Sequence, residues 1–212
     1  MFADFSDLSA RERYKILIAT VVPRPIALVS TRSTGGIINA APFSFFNVFS
    51  EDPALAILGL ESRRDNDRKK DTTENIVSTG ELVINLVDRA LAEPMVACAA
   101  DIDSDEDELA FSGLTPFASR KVSAPGIAEA PVRLECTLFD MRQITPRRHL
   151  CIAEVQAVSA REGIINPQTL RVDLSAYRPI GRLMGDSYAE LGEIFDIRIP
   201  DKSRSHGTVD SC

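Results

Sequence analysis

Short apolar runs of strand length, separated by turn residues, set the pattern of this chain. Residues 26–31 form one run, Ser33-Thr34-Gly35-Gly36 is a turn signal, and residues 37–41 return, so 26–41 reads as a β-hairpin. Residues 54–60 make another strand. In 81–87, Leu82, Ile84 and Leu86 alternate with Val83, Asn85 and Val87, which also reads as a strand. Residues 132–142 and 150–160 read as a pair joined around Thr145-Pro146-Arg147-Arg148. Helical patterns fill the gaps: a short helix or turn within 5–15 started by Ser9, a helix over 72–79 closed by Gly80, and a short apolar helix over 94–100. Residues 16–22 form an apolar segment stopped by Pro23 and Pro25, and 39–50 show neither period. Residues 161–167 read as a turn and 170–174 as a strand end. Residues 181–195 read as a Gly-rich turn running into a short helix, and 201–212 as a disordered polar tail. A regular βαβ alternation is absent. The pattern therefore predicts a mainly β (α+β) fold with peripheral helices, a barrel or sandwich, as one domain over 1–200.

Composition narrows the class. At 212 residues, 44% apolar and 26% charged, the chain has the means to bury a core. A formal charge of −7 disfavours nucleic acid and anionic membrane as partners. No apolar run reaches the length of a membrane span, and the N-terminus lacks the apolar stretch of a signal peptide. Four scattered cysteines suit a reducing compartment, so a cytoplasmic location is expected. The two histidines and four cysteines have no zinc spacing, so no metal is expected. The acidic block 101–108 fails as a calcium loop, because Glu106 stands where glycine is needed and Ser112 where glutamate is needed.

Three segments carry candidate chemistry. In Lys70-Asp71-Thr72-Thr73-Glu74, Asp71 reads as an N-cap and Glu74 completes a capping-box pattern. A helix start beside Arg63, Arg64, Arg68, Lys69 and Lys70 has the makings of a phosphate site. The same residues also describe a solvated loop ahead of an ordinary capped helix. Residues 39–50 place Phe43, Phe45, Phe46 and Phe49 among Ser44, Asn47 and Ser50, which suits wrapping a flat heteroaromatic ring or filling a core. His149 has no G-x-S-x-G or HExxH context, so hydrolytic chemistry is unsupported.

Taken in order, these segments resemble the flavin reductase-like family, whose fold is an FMN-binding split β-barrel of Greek-key-like form. The resemblance rests on residues 23–31, 39–47, Lys70-Asp71-Thr72 with Asn75 and Thr79-Gly80-Glu81, His149 with Glu154-Val155, and Gly181-Arg182-Leu183 with Gly185 and Tyr188. The last is similar to the signature of the longer subfamily. The resemblance spans roughly residues 14–199. It implies FMN held by Thr31, Asn39, Ser44, Phe45, Phe46, Asn47 and Ser50, with Arg64, Lys70, Asp71 and Thr72 toward the phosphate. It further implies His149 as a catalytic residue beside the nicotinamide of NADH or NADPH, and Arg24, Arg182 and Tyr188 around the substrate. A homodimer with flavin near the interface and a separate monooxygenase component follow from the same likeness. Two other activities stay open: an FMN-dependent oxygenase or reductase acting on a small organic substrate, and a non-catalytic electron carrier. Ala153 stands where many relatives have glycine, which narrows the space expected beside the ring.

Overall fold

The computed structural model describes residues 1–62, 69–100 and 106–199. The strands are β1 (Arg24–Pro25), β2 (Ala27–Arg32), β3 (Ile38–Phe43), β4 (Phe46–Glu51), β5 (Ala54–Glu61), β6 (Glu81–Leu86), β7 (Pro116–Phe117), β8 (Gly126–Ile127), β9 (Val132–Thr145), β10 (Arg148–Ala160), β11 (Ile180–Arg182) and β12 (Tyr188–Glu190). The helices are α1 (Ala10–Thr20), α2 (Asp71–Thr79), α3 (Ala92–Ala97) and α4 (Glu108–Phe111).

Seven strands form one antiparallel sheet in the order β3-β2-β6-β9-β10-β5-β4. β3 and β4 are consecutive in the chain yet lie at opposite edges of that sheet. Flat strands about 4.8 Å apart would hold those edges roughly 29 Å from each other. The link through Ser44 and Phe45 spans at most about 11 Å. The sheet must therefore roll until its edges approach; the Gly59 N–H donates to the Phe45 carbonyl at 2.7 Å, which extends the β4–β5 ladder into the link. The result is the expected mainly β barrel with peripheral helices. A small sheet, β1-β11-β12, lies beside it.

Rolling the sheet gives each strand an inner and an outer face. Ala27 and Val29 of β2 meet Leu58, Leu60, Leu82, Ile84, Cys136 and Cys151 inside the barrel, and Ile76 of α2 joins them. Ile26 and Leu28 face the other way, onto Leu91, Met95 and Leu109 beneath α3 and α4. Both faces of β2 are covered, so its alternation is invisible in the sequence.

Two polar side chains fix the outer layer. Asn85 Nδ2 donates to the Leu28 carbonyl and Ser30 Oγ, each at 2.9 Å, while its Oδ1 accepts from the Ile127 N–H at 2.9 Å. Arg133 donates to the carbonyls of Ile127, Ala128 and Ala130 and lies 4.1 Å from the Phe117 ring centre.

Three expectations need correction. Residues 39–50 are strand on both sides of Ser44-Phe45, not an aperiodic loop. Ile38, Asn39 and Ala40 of β3 are all buried, whereas Val48 and Phe49 of edge strand β4 are exposed, so neither half shows period two. Residues 181–195 contain no helix; β11 and β12 form a hairpin turned at Gly185, whose φ of 59° suits glycine. α1 runs on through Ile16 to Thr20, because nothing before Pro23 stops it and the Ser9–Glu12 capping box starts it.

Asn85→Ala is expected to lower the unfolding free energy by about 2–4 kcal/mol, since one buried donor and two buried acceptors lose their partner. Urea denaturation measures this, and an unchanged midpoint would remove Asn85 as the pin between barrel and outer layer.

Candidate functional site

Pro42, Phe43 and Ser44, at the seam, form the spine of a groove made of three adjoining cavities. The largest, about 640 Å³, is bounded by Tyr14 and Ile18 of α1, Met95 of α3, and Arg182, Leu183 and Tyr188 of the β11–β12 hairpin. The second, about 130 Å³, lies against Asn39, Lys70, Asp71, Thr72 and Glu108. The third, about 180 Å³, lies against Phe45, Gly59, Glu61, Lys70 and Arg148. Pro42 and Phe43 line all three.

The α2 N-terminus opens onto the second cavity, but it is built differently from the expectation. Lys70, not Asp71, is the N-cap, with ψ of 158° and no capping bond from its side chain. Its carbonyl accepts from the N–H groups of Thr73 and Glu74 at 2.8 and 3.0 Å. Asp71 is the first helical residue, where its charge meets the positive end of the helix dipole directly. The helix start is anchored by buried side-chain pairs. Asn39 Nδ2 donates to Thr72 Oγ1 at 2.9 Å, and Asn75 Nδ2 donates to Thr31 Oγ1 at 3.1 Å. The expected Gly80 closure forms, with φ of 73°.

The structure thus sorts the candidate residues. Asn39, Ser44, Phe45, Lys70, Asp71 and Thr72 line the groove, as do Arg24, Arg182 and Tyr188. Thr31 is fully buried behind α2 and lines none of these cavities. Phe46 packs into the barrel core, and Asn47 and Ser50 lie along edge strand β4 away from the three cavities. Arg64 lies outside the described residues, as do Asp101, Asp103, Asp105 and the tail.

His149 is 5% exposed and does not border the groove. It pairs across the sheet with Leu60 and shares the inward face with Cys151 and Ala153. Its Nδ1 has no hydrogen-bond partner among the described residues. Burial, and then the charge of Lys69, push its pKa down, favouring the neutral imidazole. The pleat gives the groove to its neighbour instead: the Arg148 guanidinium lies 5.3 Å from the Phe45 ring centre and 3.6 Å from Glu61.

Arg24 is 8% exposed and already saturated. It donates to the carbonyls of Ile18, Val21 and Leu183 and lies 3.5 Å from Ser44 Oγ, tying α1 and the hairpin turn to the groove. Arg182 donates to Tyr188 Oη and the Gly185 carbonyl, packs 4.5 Å from the Tyr188 ring, and lies 3.8 Å from Asp186.

Sequence reasoning missed several groove residues, among them Tyr14, Gly59, Arg148 and Glu108. Gly59 is needed because a Cβ there would meet Phe45 Cβ at 2.9 Å. Alternation along β10 was the signal available for Arg148. Glu108, at the start of α4, accepts from the Ala40 N–H on the outer edge of β3. Burial, opposed by that bond, pushes its carboxyl up to about 7, and Asp71 and Asp107 add to the rise. Among the described residues no cluster of histidine, cysteine or acidic side chains is placed to hold a metal. Cys98, Cys136 and Cys151 are buried free thiols, raised in pKa chiefly by burial.

Residues 19–181 match the family described as flavin reductase like domain. An uncharacterized protein of Bacillus subtilis is 42% identical over 198 residues, covering 91% of this chain and 96% of its own. The solved 2-nitrobenzoate 2-nitroreductase of Pseudomonas fluorescens is 32% identical, with a TM-score of 0.89 covering 98% of this chain and 100% of that one. Nitrilotriacetate monooxygenase component B of Bacillus cereus is 29% identical, with a TM-score of 0.87 covering 93% and 98%.

The Glu108 carboxyl gives a pH prediction. Its folded pKa of about 7 lies above the ordinary 4.5, so the folded state holds more protons between those values. Stability should fall as pH rises through that window and level off above it. The loss is about 1–2 kcal/mol, discounted because the carboxylate is partly solvated. Glu108→Gln should flatten this slope, as read from urea midpoints at pH 5 and pH 8; an unchanged slope would move the effect elsewhere.

Proposed function

The chain belongs to the flavin reductase-like domain family, and we propose that it is an oxidoreductase that binds FMN along the Pro42–Ser44 groove and accepts hydride from NADH or NADPH. One observation carries this reading: a helix N-terminus flanked by Lys70 and a roomy, largely apolar cavity meet on the same two wall residues, Pro42 and Phe43. Phosphate and flat ring in one ligand need charge and wide apolar space side by side.

The residues present fit the group. Lys70 and the first-turn N–H groups of α2 take the phosphate dianion, and the Asn39–Thr72 bond keeps that turn in place. Phe43 and Pro42 supply apolar wall, while Ser44 supplies a hydroxyl at its edge. FMN, when bound, supplies the hydride-accepting ring, so the chain needs little acid–base machinery of its own. Its task is to hold two flat rings at short range and keep water out. Tyr14 and Tyr188 close the large cavity on two sides. His149, buried and pushed toward the neutral form, lies on the barrel-facing side of β10, and the alternation of that strand turns Arg148 to the groove. We place the protein in the cytoplasm as a homodimer. The likeness to a monooxygenase component B supports delivery of reduced flavin to a separate oxygenase.

A second reading has its own observation. The 640 Å³ cavity is large enough for an organic acceptor beside the flavin, and Arg182 lies on its wall. The likeness to a nitroreductase supports direct reduction of a small planar acid there.

Visible spectra under anaerobic conditions decide between these readings. Added FMN should bind, and its bands should bleach quickly with NADH or NADPH. Bound flavin left oxidised by both would overturn the reductase reading in favour of a carrier. Nitrobenzoate-dependent reoxidation would favour the second reading. For Lys70→Ala, the FMN dissociation constant should rise about 10–100-fold, equivalent to ~1.5–3 kcal/mol for a charge-assisted phosphate contact. Fluorescence titration reads it, and unchanged affinity would overturn the phosphate assignment.

A further inference from the structure

Lys70 stands between two cavities that carry charge in different ways. The smaller, about 130 Å³, holds the start of α2. The other, about 180 Å³, has Lys70, Arg148 and Glu61 on its walls. It shares Tyr14, Pro42, Phe43 and Ser44 with the 640 Å³ cavity, so it opens directly off the widest part of the groove.

Arg148 gives this cavity its character. Its guanidinium lies 5.3 Å from the Phe45 ring centre and 3.6 Å from the Glu61 carboxylate. The second distance is too long for a hydrogen bond. Among the described residues no hydrogen bond engages this guanidinium, so its planar fork of N–H donors can turn to an anion. Glu61 also lies 3.8 Å from Arg147, so one carboxylate answers two arginines. With Lys70 added, this end of the groove is net positive. The other groove arginines are committed: Arg24 to backbone carbonyls, and Arg182 to Tyr188 Oη and the Gly185 carbonyl.

Hydride transfer needs two flat rings face to face in the large cavity, and each ring trails phosphate. A phosphate monoester gathers its charge on one phosphorus, which suits a helix N-terminus beside one lysine. A dinucleotide spreads its charge over two adjacent phosphates, which suits two separate cations. The groove has one end of each kind. We propose that the Lys70–Arg148 cavity binds the diphosphate of the nicotinamide dinucleotide, and that Arg148 sets affinity for the reductant and not for FMN. This rests on the flavin reading of the groove. Glu61 competes with the diphosphate for Arg148, which keeps the spent dinucleotide easy to release. The diphosphate is common to NADH and NADPH, so Arg148 favours neither.

Calorimetric titration of the FMN-saturated protein with NAD⁺ and NADP⁺ tests this without turnover, and circular dichroism checks folding. Arg148→Ala should weaken both dinucleotides equally, roughly tenfold, for the loss of a charge-assisted contact. Arg148→Lys should recover part of that loss, because the charge stays and the fork goes. Glu61→Gln should tighten both, since the competing carboxylate is gone. Anaerobic turnover with NADH should show KM raised by Arg148→Ala more than kcat is lowered. Fluorescence titration should leave the FMN dissociation constant of Arg148→Ala at the wild-type value. Dinucleotide affinity indifferent to Arg148→Ala, or a loss confined to NADP⁺, would overturn the proposal. So would weakened FMN with NAD⁺ untouched, which would put the cofactor's own phosphate in this cavity. A wild type that takes NAD⁺ through Arg148 yet binds no FMN would overturn the flavin reading instead.

Discussion

Ser44 and Phe45 carry the chain from one edge of a seven-stranded sheet to the other, and two residues are too few to do so unless those edges approach each other. Barrel closure is therefore imposed by a link length. The consequences accumulate at one place. The seam presents Pro42, Phe43 and Ser44 as a continuous wall, and all three groove cavities use that wall. Phe45 sits directly on Gly59, where even a methyl group would collide, so strand β5 is shaped to the link and not the reverse. Arg24 then brings α1 and the β11–β12 turn to the same seam through backbone carbonyls, which fixes the far side of the largest cavity.

Polar burial does the rest of the positioning. Thr31, Asn39, Thr72 and Asn75 are all nearly inaccessible, and each satisfies another. Unpaired, any one of them would carry a desolvation cost of about 1–3 kcal/mol. Mutual satisfaction is possible only when the first turn of α2 stands at one distance and one rotation from β2 and β3. Residues expected to touch the ligand therefore serve a stricter purpose: they hold the helix whose backbone would touch it. The same logic explains Glu108, a carboxylate kept where burial is unfavourable because it occupies the outward N–H of edge strand β3.

Much of this was legible in the sequence, and the failures have physical reasons. Strands 26–41, 81–87 and the long 132–160 hairpin were readable because apolar runs and turn residues coincide. The link at Ser44-Phe45 was not, since β3 is covered by α4 and β4 is an open edge, and neither condition produces alternation. Asp71 fitted an N-cap pattern, yet the structure gives that position to Lys70: a cap residue is chosen by local backbone, but here tertiary bonds through Thr72 and Asn75 set where the helix begins. The β11–β12 hairpin was mistaken for a helix because its partner β1 is only Arg24–Pro25, too short to register as a strand in a one-dimensional reading.

His149 and Arg148 show how one residue of register redirects chemistry. A histidine near a candidate groove draws attention for its proton, and the sequence offered only two histidines to choose from. On β10, however, successive side chains alternate faces, and Cys151 and Ala153 already commit the odd positions to the barrel interior. His149 follows them inward, loses solvent, and is pushed toward the neutral form with a ring nitrogen left unpartnered among the described residues. Arg148 is turned outward by the same pleat and lands over Phe45 with its charge toward Glu61. An arginine cannot exchange protons near neutrality, but it can hold charge against an electron-rich ring. One residue of register thus places a fixed charge, and not a titratable imidazole, beside the groove.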